Sequence, residues 1–186
     1  MRHSNLPRQQ GAALMVALIL LVAMTLLGLA SIRIVLQEER MAGNAYDRSL
    51  AFQAAEAALR VGEATALAQS KTTAPNKDFP AYGLYADPDA TCGGSCADGL
   101  CTQPDKDCVP RWEDLAFAGW KKATGLSLTT TVSGTPEYFV EYMGGAFPCD
   151  PGQPSINLFC SRYRITARSI ADGRAAVTLQ SIFATE

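Results

Sequence analysis

The residue type with the most varied chemistry in this sequence is cysteine, which binds metals, forms disulfides and serves as a nucleophile. Zinc modules usually carry C-x2-C pairs, whereas the spacing here is C-x3-C-x4-C-x6-C followed by two separate cysteines. An even number of cysteines in a segment that leaves the cytoplasm predicts disulfides instead of a metal knot. The disulfide candidates are Cys92, Cys96, Cys101, Cys108, Cys149 and Cys160.

One pairing among these cysteines is favoured by its position in the chain. Cys149 and Cys160 flank the loop DPGQPSINLF, and a bond between them would hold two neighbouring strands in register. The other four cysteines would then staple the loop 92–108. The alternative is a bond from Cys149 back to Cys108, and the sequence leaves that choice open.

The remaining reactive side chains form no catalytic or metal-binding pattern. His3 is the single histidine, which excludes a histidine-based triad or zinc enzyme. Ser161 follows Cys160, but no histidine accompanies either as an activating base. We therefore predict that the protein is not an enzyme and has no catalytic, cofactor or metal site. A calcium-binding head is an alternative that rests on two Asp-x-Asp pairs without the spacing of a known loop, Asp87, Asp89, Asp105 and Asp107.

The charged residues indicate no nucleic-acid partner. The 16 basic and 18 acidic residues give a formal net charge of −2, and no basic cluster is dense. Three arginines, Arg162, Arg164 and Arg168, lie at even spacing in SRYRITARS. We interpret this pattern as the solvated face of a β-strand, in preference to a phosphate-binding stripe.

The first element that must position these residues is an N-terminal helix. Residues 12–32 carry no charge, and a helix of about 20 apolar residues spans a membrane. The pattern then stays helical and becomes amphipathic, because apolar residues recur at three- or four-residue steps. Since no proline lies between Pro7 and Pro75, we predict one helix over 12–70. Its apolar face would carry Tyr46, Leu50, Ala54, Ala58 and Val61.

Residues 71–186 are predicted to form a globular head. The first part is rich in Pro, Gly, Asp and Thr, which is typical of a loop. The segment PRWEDLAFAGWKKATG then indicates a short helix that buries Trp112, Ala116 and Trp120. Three further segments are predicted strands. Residues 137–143 are rich in aromatic and β-branched side chains, and residues 161–169 and 175–183 alternate apolar and polar ones.

These strands predict an antiparallel sheet with one apolar face. Asp172-Gly173 between the last two strands is a strong hairpin signal. Tyr163, Ile165 and Ala167 alternate on one face of their strand, and an apolar sheet face needs a cover. The amphipathic half of the long helix would supply it. The expected fold class is therefore α+β, with a long helix packed on an antiparallel sheet.

The leader at residues 1–11 is polar, basic and free of acidic residues. Before an apolar helix, such a leader has three interpretations. It fits a secretory signal peptide, for which Gly28-Leu29-Ala30 offers a cleavage site after Ala30. It also fits a plain membrane anchor, or a prepilin leader that is cut after Gly11. Only the third accounts for both the glycine and a helix that continues beyond membrane length.

The leader resembles that of a type IV prepilin, and the residues after it resemble the N-terminal region of PilX-type minor pilins. The stretch reads GAALMVALILLVAMTLLGLASIRIVLQEERMAGNAYDRSLAFQAAEAALR. The shared features are the Gly-x-x-Leu start, Met-Thr-Leu-Leu-Gly in mid-helix, the segment from Glu39 to Asn44, and Ala-Ala-Glu-Ala-Ala-Leu ending at Leu59. This resemblance covers a little over a quarter of the chain.

The resemblance implies cleavage between Gly11 and Ala12, with methylation of the new N-terminus. Most pilins carry Glu at the fifth mature position, where it neutralises the N-terminal amine of a neighbouring subunit. Val16 occupies that position here. A subunit without the Glu fits a place with no neighbour above it, at or near the pilus tip. Ala12 also replaces the usual Phe or Met.

The implied function is that of a minor pilin that primes type IV pilus assembly. Residues 12–32 would anchor it in the inner membrane, with its head in the periplasm and later at the pilus tip. The implied partners are other minor pilins, a tip adhesin, the major pilin, the prepilin peptidase and the inner-membrane assembly platform. Two alternatives are a K-type minor pseudopilin of type II secretion, whose head usually has a large extra helical domain, and a secreted disulfide-rich binding module cut after Ala30.

Overall fold

The structure is a computed structural model that describes residues 10–80, 96–102, 108–127, 135–150, 152 and 159–185. Within these residues one long helix precedes a sheet, so the predicted α+β fold with a long N-terminal helix is confirmed. The elements are α1 Gln10–Ser70, β1 Cys96–Ala97, β2 Leu100–Cys101, β3 Lys121–Lys122, β4 Glu137–Pro148, β5 Phe159–Ser169 and β6 Val177–Thr185.

The chain forms two compact units, Met1–Ala45 and Tyr46–Glu186. The first contains the N-terminal part of α1. The second, called here the sheet unit, contains the rest of α1 together with every described strand. Stability in the sheet unit therefore depends on how this part of α1 packs on the sheet.

The sheet has the strand order β1-β2-β4-β5-β6, and β3 also pairs with β4. The β4–β5–β6 meander is antiparallel, as predicted, and Gly173 makes the expected turn before β6 with a φ of +69°. However, β2 runs parallel to β4, so the sheet is mixed and not purely antiparallel. The short β1–β2 hairpin that brings β2 there is closed by Asp98 and Gly99, at φ values of +49° and +79°. Positive φ at both central residues is what a two-residue hairpin requires.

The helix predicted between Pro110 and Gly125 is wrong. Turns follow Pro110, whose carbonyl accepts hydrogen bonds from the amides of Glu113 and Asp114 at 2.9 and 3.2 Å. The segment ends in β3, and Ala116 is exposed where burial was predicted. A helix this short is marginal by itself. Tertiary contacts made by its arginine and tryptophans, described below, decide the conformation instead.

The face of α1 that packs on the sheet consists of small residues. Ala54 and Ala58 are fully buried, as predicted, whereas Tyr46 is 57% exposed, so its predicted place on the buried face is wrong. The side chains opposite belong to β4 and β5 and include Tyr138, Val140, Tyr163, Ile165 and Ala167. Small side chains let the helix backbone approach the sheet closely. The complete buried face is Ala51, Ala54, Ala55, Ala58, Gly62 and Ala66.

Gly62 marks the closest approach of α1 to the sheet. A β-carbon at this position would lie 2.5 Å from Cγ2 of Ile165 and 3.1 Å from Cδ2 of Tyr138, and both side chains are buried. We expect Gly62→Val to lower the free energy of unfolding of the sheet unit by about 1–3 kcal/mol, because overpacking forces the helix and sheet apart. The measurement is guanidinium chloride unfolding of the full chain in detergent, followed by tryptophan fluorescence.

Gly43→Val is the matched control for this prediction. It makes the same substitution in the same helix, but a β-carbon there meets no atom within 4 Å. The control should therefore shift the unfolding curve of the sheet unit little. Equal shifts for both variants would show that helix propensity, and not the contact with Ile165, determines the effect.

The end of α1 is tied to the sheet by an aromatic cluster. After Ser70 the chain turns back, and Asn76 takes a φ of +61° while its side-chain oxygen accepts a 2.6 Å hydrogen bond from the Tyr163 hydroxyl. Burial raises the pKa of Tyr163, so its hydroxyl stays protonated as the donor. Phe79 packs on Tyr142 and Tyr163 at centroid distances of 5.5 and 6.0 Å. The segment after the helix therefore completes the core.

Candidate functional site

The N-terminal part of α1 has the properties of a membrane anchor. Every described side chain from Ala12 to Ala45 is exposed, including large apolar ones such as Leu14 and Leu27. The helix is long and apolar enough to cross a membrane, although a signal sequence near the N-terminus has the same length and composition. The exposed apolar surface needs an apolar environment, which a bilayer or a packed helix bundle supplies.

The residues predicted for leader processing lie at the start of this helix. Gly11 and Ala12 fall in the first turn of α1, which begins at Gln10. Val16 lies one turn further and is 56% exposed. The helix continues without interruption through Ala30 to Ser70. Cleavage after Gly11 and the role of Val16 stay predictions.

The second candidate surface is the face of β4 and β5 opposite α1, where charged side chains are concentrated. We call it the arginine face; it consists of Glu137, Phe139, Glu141, Arg162, Arg164, Thr166 and Arg168. The strand register places Glu137 opposite Arg168 and Glu141 opposite Arg164. Opposite charges directly across an antiparallel pair stabilise it. The face therefore fixes the register of the β4–β5 hairpin.

Glu141 is the centre of this face and is fully buried. One carboxylate oxygen accepts a hydrogen bond from Nη1 of Arg111, and the other accepts a 2.6 Å bond from Nε of Arg164. The same Arg111 nitrogen also donates to the carbonyl oxygen of Thr102 at 2.8 Å, and Arg111 is only 5% exposed. A buried carboxylate is tolerated because two guanidinium groups neutralise it.

Aromatic rings cover the guanidinium groups of the arginine face. The guanidinium of Arg168 lies 3.9 Å from the ring centroid of Trp120, and that of Arg164 lies 4.8 Å from the ring centroid of Trp112. Arg162 stacks on Phe147 in the same way, at 4.6 Å. The interpretation of these arginines as a solvated face is therefore wrong. Arg164 and Arg168 each pair with a glutamate and stack on a tryptophan ring, whereas Arg162 stacks on Phe147 and donates a 3.3 Å hydrogen bond to the carbonyl oxygen of Pro148.

A signal for this pairing was present in the sequence. Glu137 and Glu141 are four residues apart, and so are Arg164 and Arg168, which is the spacing that an antiparallel hairpin can match. Arg111 was missed because it lies in a distant segment. No local pattern associates it with β4.

The ion pairs and stacked rings of the arginine face stabilise the sheet unit. Among the described residues no group of three or more His, Cys, Asp or Glu side chains could hold a metal ion. The aspartates considered for calcium, Asp87, Asp89, Asp105 and Asp107, lie outside the described residues. At the arginine face, Glu137 pairs with Arg168 and Glu141 pairs with Arg164 and Arg111, which accounts for both carboxylates.

The structure contains the Cys149–Cys160 bond that the loop between them predicted. It lies beside the end of the β4–β5 ladder, where Phe147 pairs with Cys160. A second bond joins Cys96 to Cys101 across the β1–β2 hairpin. Cys108 is disulfide-bonded too, and Cys92 lies outside the described residues.

We expect loss of the Cys149–Cys160 bond to destabilise the sheet unit. The double variant Cys149→Ser and Cys160→Ser frees the open end of the β4–β5 ladder, and chain entropy predicts a loss of roughly 2–3 kcal/mol. Guanidinium chloride unfolding of the full chain in detergent measures it. As a control, the single variant Cys160→Ser should expose one reactive thiol that peptide mapping locates at Cys149. A thiol at Cys108 instead would contradict the pairing.

Comparison with protein families assigns both the N-terminal helix and the sheet to one family. Residues 10–60 match the family model PilX N-terminal, and residues 97–185 match the model Type IV pilus assembly protein PilX C-term. The chain belongs to the PilX family of type IV pilus assembly proteins. The two matches together span roughly three quarters of the chain and include nearly all of α1 and the sheet strands. Comparison with curated proteins and with solved structures finds no match.

Membership of the PilX family explains both the apolar helix and the stabilised sheet unit. The chain is a minor pilin, which is a structural component of a pilus and works together with other pilus components. Its apolar N-terminal helix is the membrane anchor. The paired charges and disulfides of the sheet unit are then the means by which a pilin head keeps its shape.

Proposed function

We propose that this PilX-family chain primes type IV pilus assembly and takes a position at or near the pilus tip. The observation that carries the proposal is Val16. It stands at the fifth position after Gly11 on an exposed apolar helix, where most pilins have a Glu. A valine cannot neutralise the N-terminal amine of a neighbouring subunit, and an unpaired buried amine is costly. A position without a neighbour above it avoids that cost.

The proposed mechanism is packing and not catalysis. Residues 1–11 are a leader that the prepilin peptidase removes, and residues 12–32 hold the mature chain in the inner membrane. The head, 71–186, lies in the periplasm until the assembly platform moves the subunit into the filament. There the apolar helix is buried beside the major pilin. The head contacts other minor pilins and a tip adhesin.

Two features support this proposal over its alternatives. The match over residues 97–185 names type IV pilus assembly, and the match over residues 10–60 is to the N-terminal model of the same PilX family, which favours a pilus over a type II secretion system. In addition, α1 is continuous across Ala30, where cleavage by a signal peptidase would leave a helix without its anchor.

The direct test is to shear pili from cells and to locate the chain in them. We expect a mature protein that begins at Ala12, present in small amount and labelled by antibody at filament ends. Labelling along the whole shaft would contradict the tip position. Absence from sheared pili would contradict the pilin function itself.

A substitution at Val16 tests the tip position separately. We expect Val16→Glu to leave pilus number at or below the wild-type value, because the new carboxylate has no amine above it to neutralise and is buried unpaired or protonated. The measurement is the number of pili per cell by electron microscopy. Val22→Glu, which adds the same group further along the helix, controls for impaired membrane insertion. A clear increase in pilus number with Val16→Glu would contradict the tip position.

A further inference from the structure

The two ends of the sheet differ in how well their edge strands are protected. At one end β1 has two residues, and the Cys96–Cys101 disulfide ties it to β2, which is equally short. Short, cross-linked edge strands resist pairing with other chains. At the other end lies β6, Val177–Thr185, which has nine residues. In the part of the chain that the structure describes, β6 pairs only with β5.

The sequence of β6 contains none of the usual devices that block an edge. VTLQSIFAT has no charged residue, no proline and no glycine. Its register with β5 is unbroken from Ser169–Val177 to Ser161–Thr185, whereas the β4–β5 ladder shows two register shifts. Proteins that keep an edge strand unpaired usually place lysine, proline or a bulge there. An edge of this length without such features is suited to accept another strand.

The side chains on both faces of β6 are incompletely covered. On the face that continues the arginine face, Ile182 is 60% exposed and Gln180 is exposed beside it. On the face toward α1, Leu179 and Phe183 are only half-buried. A strand that paired with β6 and carried apolar residues at alternate positions would cover Leu179 and Phe183 and continue the core.

We propose that the open edge of β6 binds an extended segment of a different pilus subunit, which adds to the sheet as the next strand. This inference rests on the proposed function, because PilX membership makes other pilus subunits the available partners. Among the described strands, β6 is the longer edge, since β1 has two residues and is cross-linked to β2. Two copies paired through β6 in the antiparallel register centred on Ser181 would place Gln180 opposite Ile182, a polar amide against an aliphatic side chain, which disfavours that homotypic register.

The test introduces the missing edge protection. In the variant Thr178→Lys with Ile182→Lys, both changes fall on exposed positions of the edge strand. Because Arg168 and Arg164 lie directly opposite them on β5, some loss of stability from like-charge repulsion is expected without loss of the fold. Ile170→Lys is the matched control, because Ile170 is 51% exposed and lies outside β6. A thermal melt of each full chain in detergent checks the fold. The full chain is then produced in its membrane with each pilin-like subunit of the same pilus in turn.

Two measurements decide the outcome. A photoreactive phenylalanine at Gln180 should crosslink to an extended segment of one of these subunits. The double lysine variant should reduce co-purification of that subunit by at least about tenfold, while Ile170→Lys should not. Absence of a crosslink, a crosslink to a second copy of this chain, or unchanged co-purification overturns the inference.

The same preparation separates this inference from the proposed function. If the wild-type chain is recovered in sheared pili and the double lysine variant is recovered equally, the chain is a pilin and the β6 edge is not its docking site. If the wild-type chain never enters pili, the proposed function fails, and the inference that rests on it fails too.

Discussion

Replacement of Glu141 by alanine is expected to lower the free energy of unfolding of the sheet unit by about 3–5 kcal/mol. Glu141 is fully buried and is the carboxylate that Arg111 and Arg164 share. Without it, two guanidinium groups lose their counterion, and Arg111 stays buried at 5% exposure. The cost is mainly that of desolvated charges left without a partner. A domain of this size is stable by only about 5–15 kcal/mol, so the loss is a large fraction of the total.

Glu137→Ala is the matched control on the same strand. Glu137 accepts hydrogen bonds from Nε and Nη2 of Arg168 at 3.1 and 2.8 Å. Both side chains of this pair keep about a quarter of their surface exposed. Water can therefore solvate Arg168 after the substitution, and the expected loss is about 1 kcal/mol or less.

The measurement for both variants is guanidinium chloride unfolding of the full chain in detergent, followed by tryptophan fluorescence. The chain has only two tryptophans, and both lie over arginines of the face under test. The signal therefore reports the sheet unit and not the membrane anchor. Losses of equal size for Glu141→Ala and Glu137→Ala would show that burial of Glu141 does not determine its contribution.

The parts of the fold that the sequence predicted are those with a local period. The helix over 12–70 could be predicted from an uncharged run followed by apolar residues at helical spacing. Strands β4 to β6 alternate side chains with a period of two, and Asp172-Gly173 marks the turn before β6. Tyr163, Ile165 and Ala167 therefore lie in the core, as predicted. Each of these patterns lies within one continuous segment of the chain.

The parts that were not predicted depend on contacts between distant segments. Whether 110–125 forms a helix depends on Arg111 binding Glu141, thirty residues away. The parallel pairing of β2 with β4 likewise brings Leu100 beside Val140. The arginines of β5 looked solvated because nothing in their own segment indicates the aromatic rings that cover them. A strand pattern shows which side chains share a face but not what lies on that face.

Among the candidate functional residues, those of the leader could be predicted from the sequence, whereas those that depend on packing could not. Gly11, Ala12 and Val16 were identified by resemblance, because the leader is a linear signal that a peptidase reads in sequence. The alanines of AFQAAEAALR predicted only that this segment is helical. They did not predict that the small side chains let α1 pack closely on the sheet. That position 62 requires glycine is evident only from the structure, because a β-carbon on residue 62 would lie 2.5 Å from Cγ2 of Ile165.

Replacement of Gly11 by valine is expected to abolish maturation. A peptidase site that accepts a glycine carbonyl has no room for a branched side chain beside the scissile bond, so the full-length precursor should accumulate in the inner membrane. Because the mature chain starts the filament in the proposed function, pili should be lost along with processing. The measurement is the size of the chain on immunoblots of membrane fractions, with N-terminal sequencing of each band.

Ala30→Leu is the matched variant that distinguishes this prediction from secretion. Ala30 is the last residue before the cut that a signal peptidase would make, and that enzyme needs a small side chain there. The prepilin interpretation therefore predicts that Gly11→Val blocks processing and Ala30→Leu leaves it normal, because an apolar side chain at this point of α1 only adds to the membrane-spanning surface. A secreted binding module predicts the reverse. A normal mature product from Gly11→Val, whatever the result for Ala30→Leu, contradicts the prepilin leader.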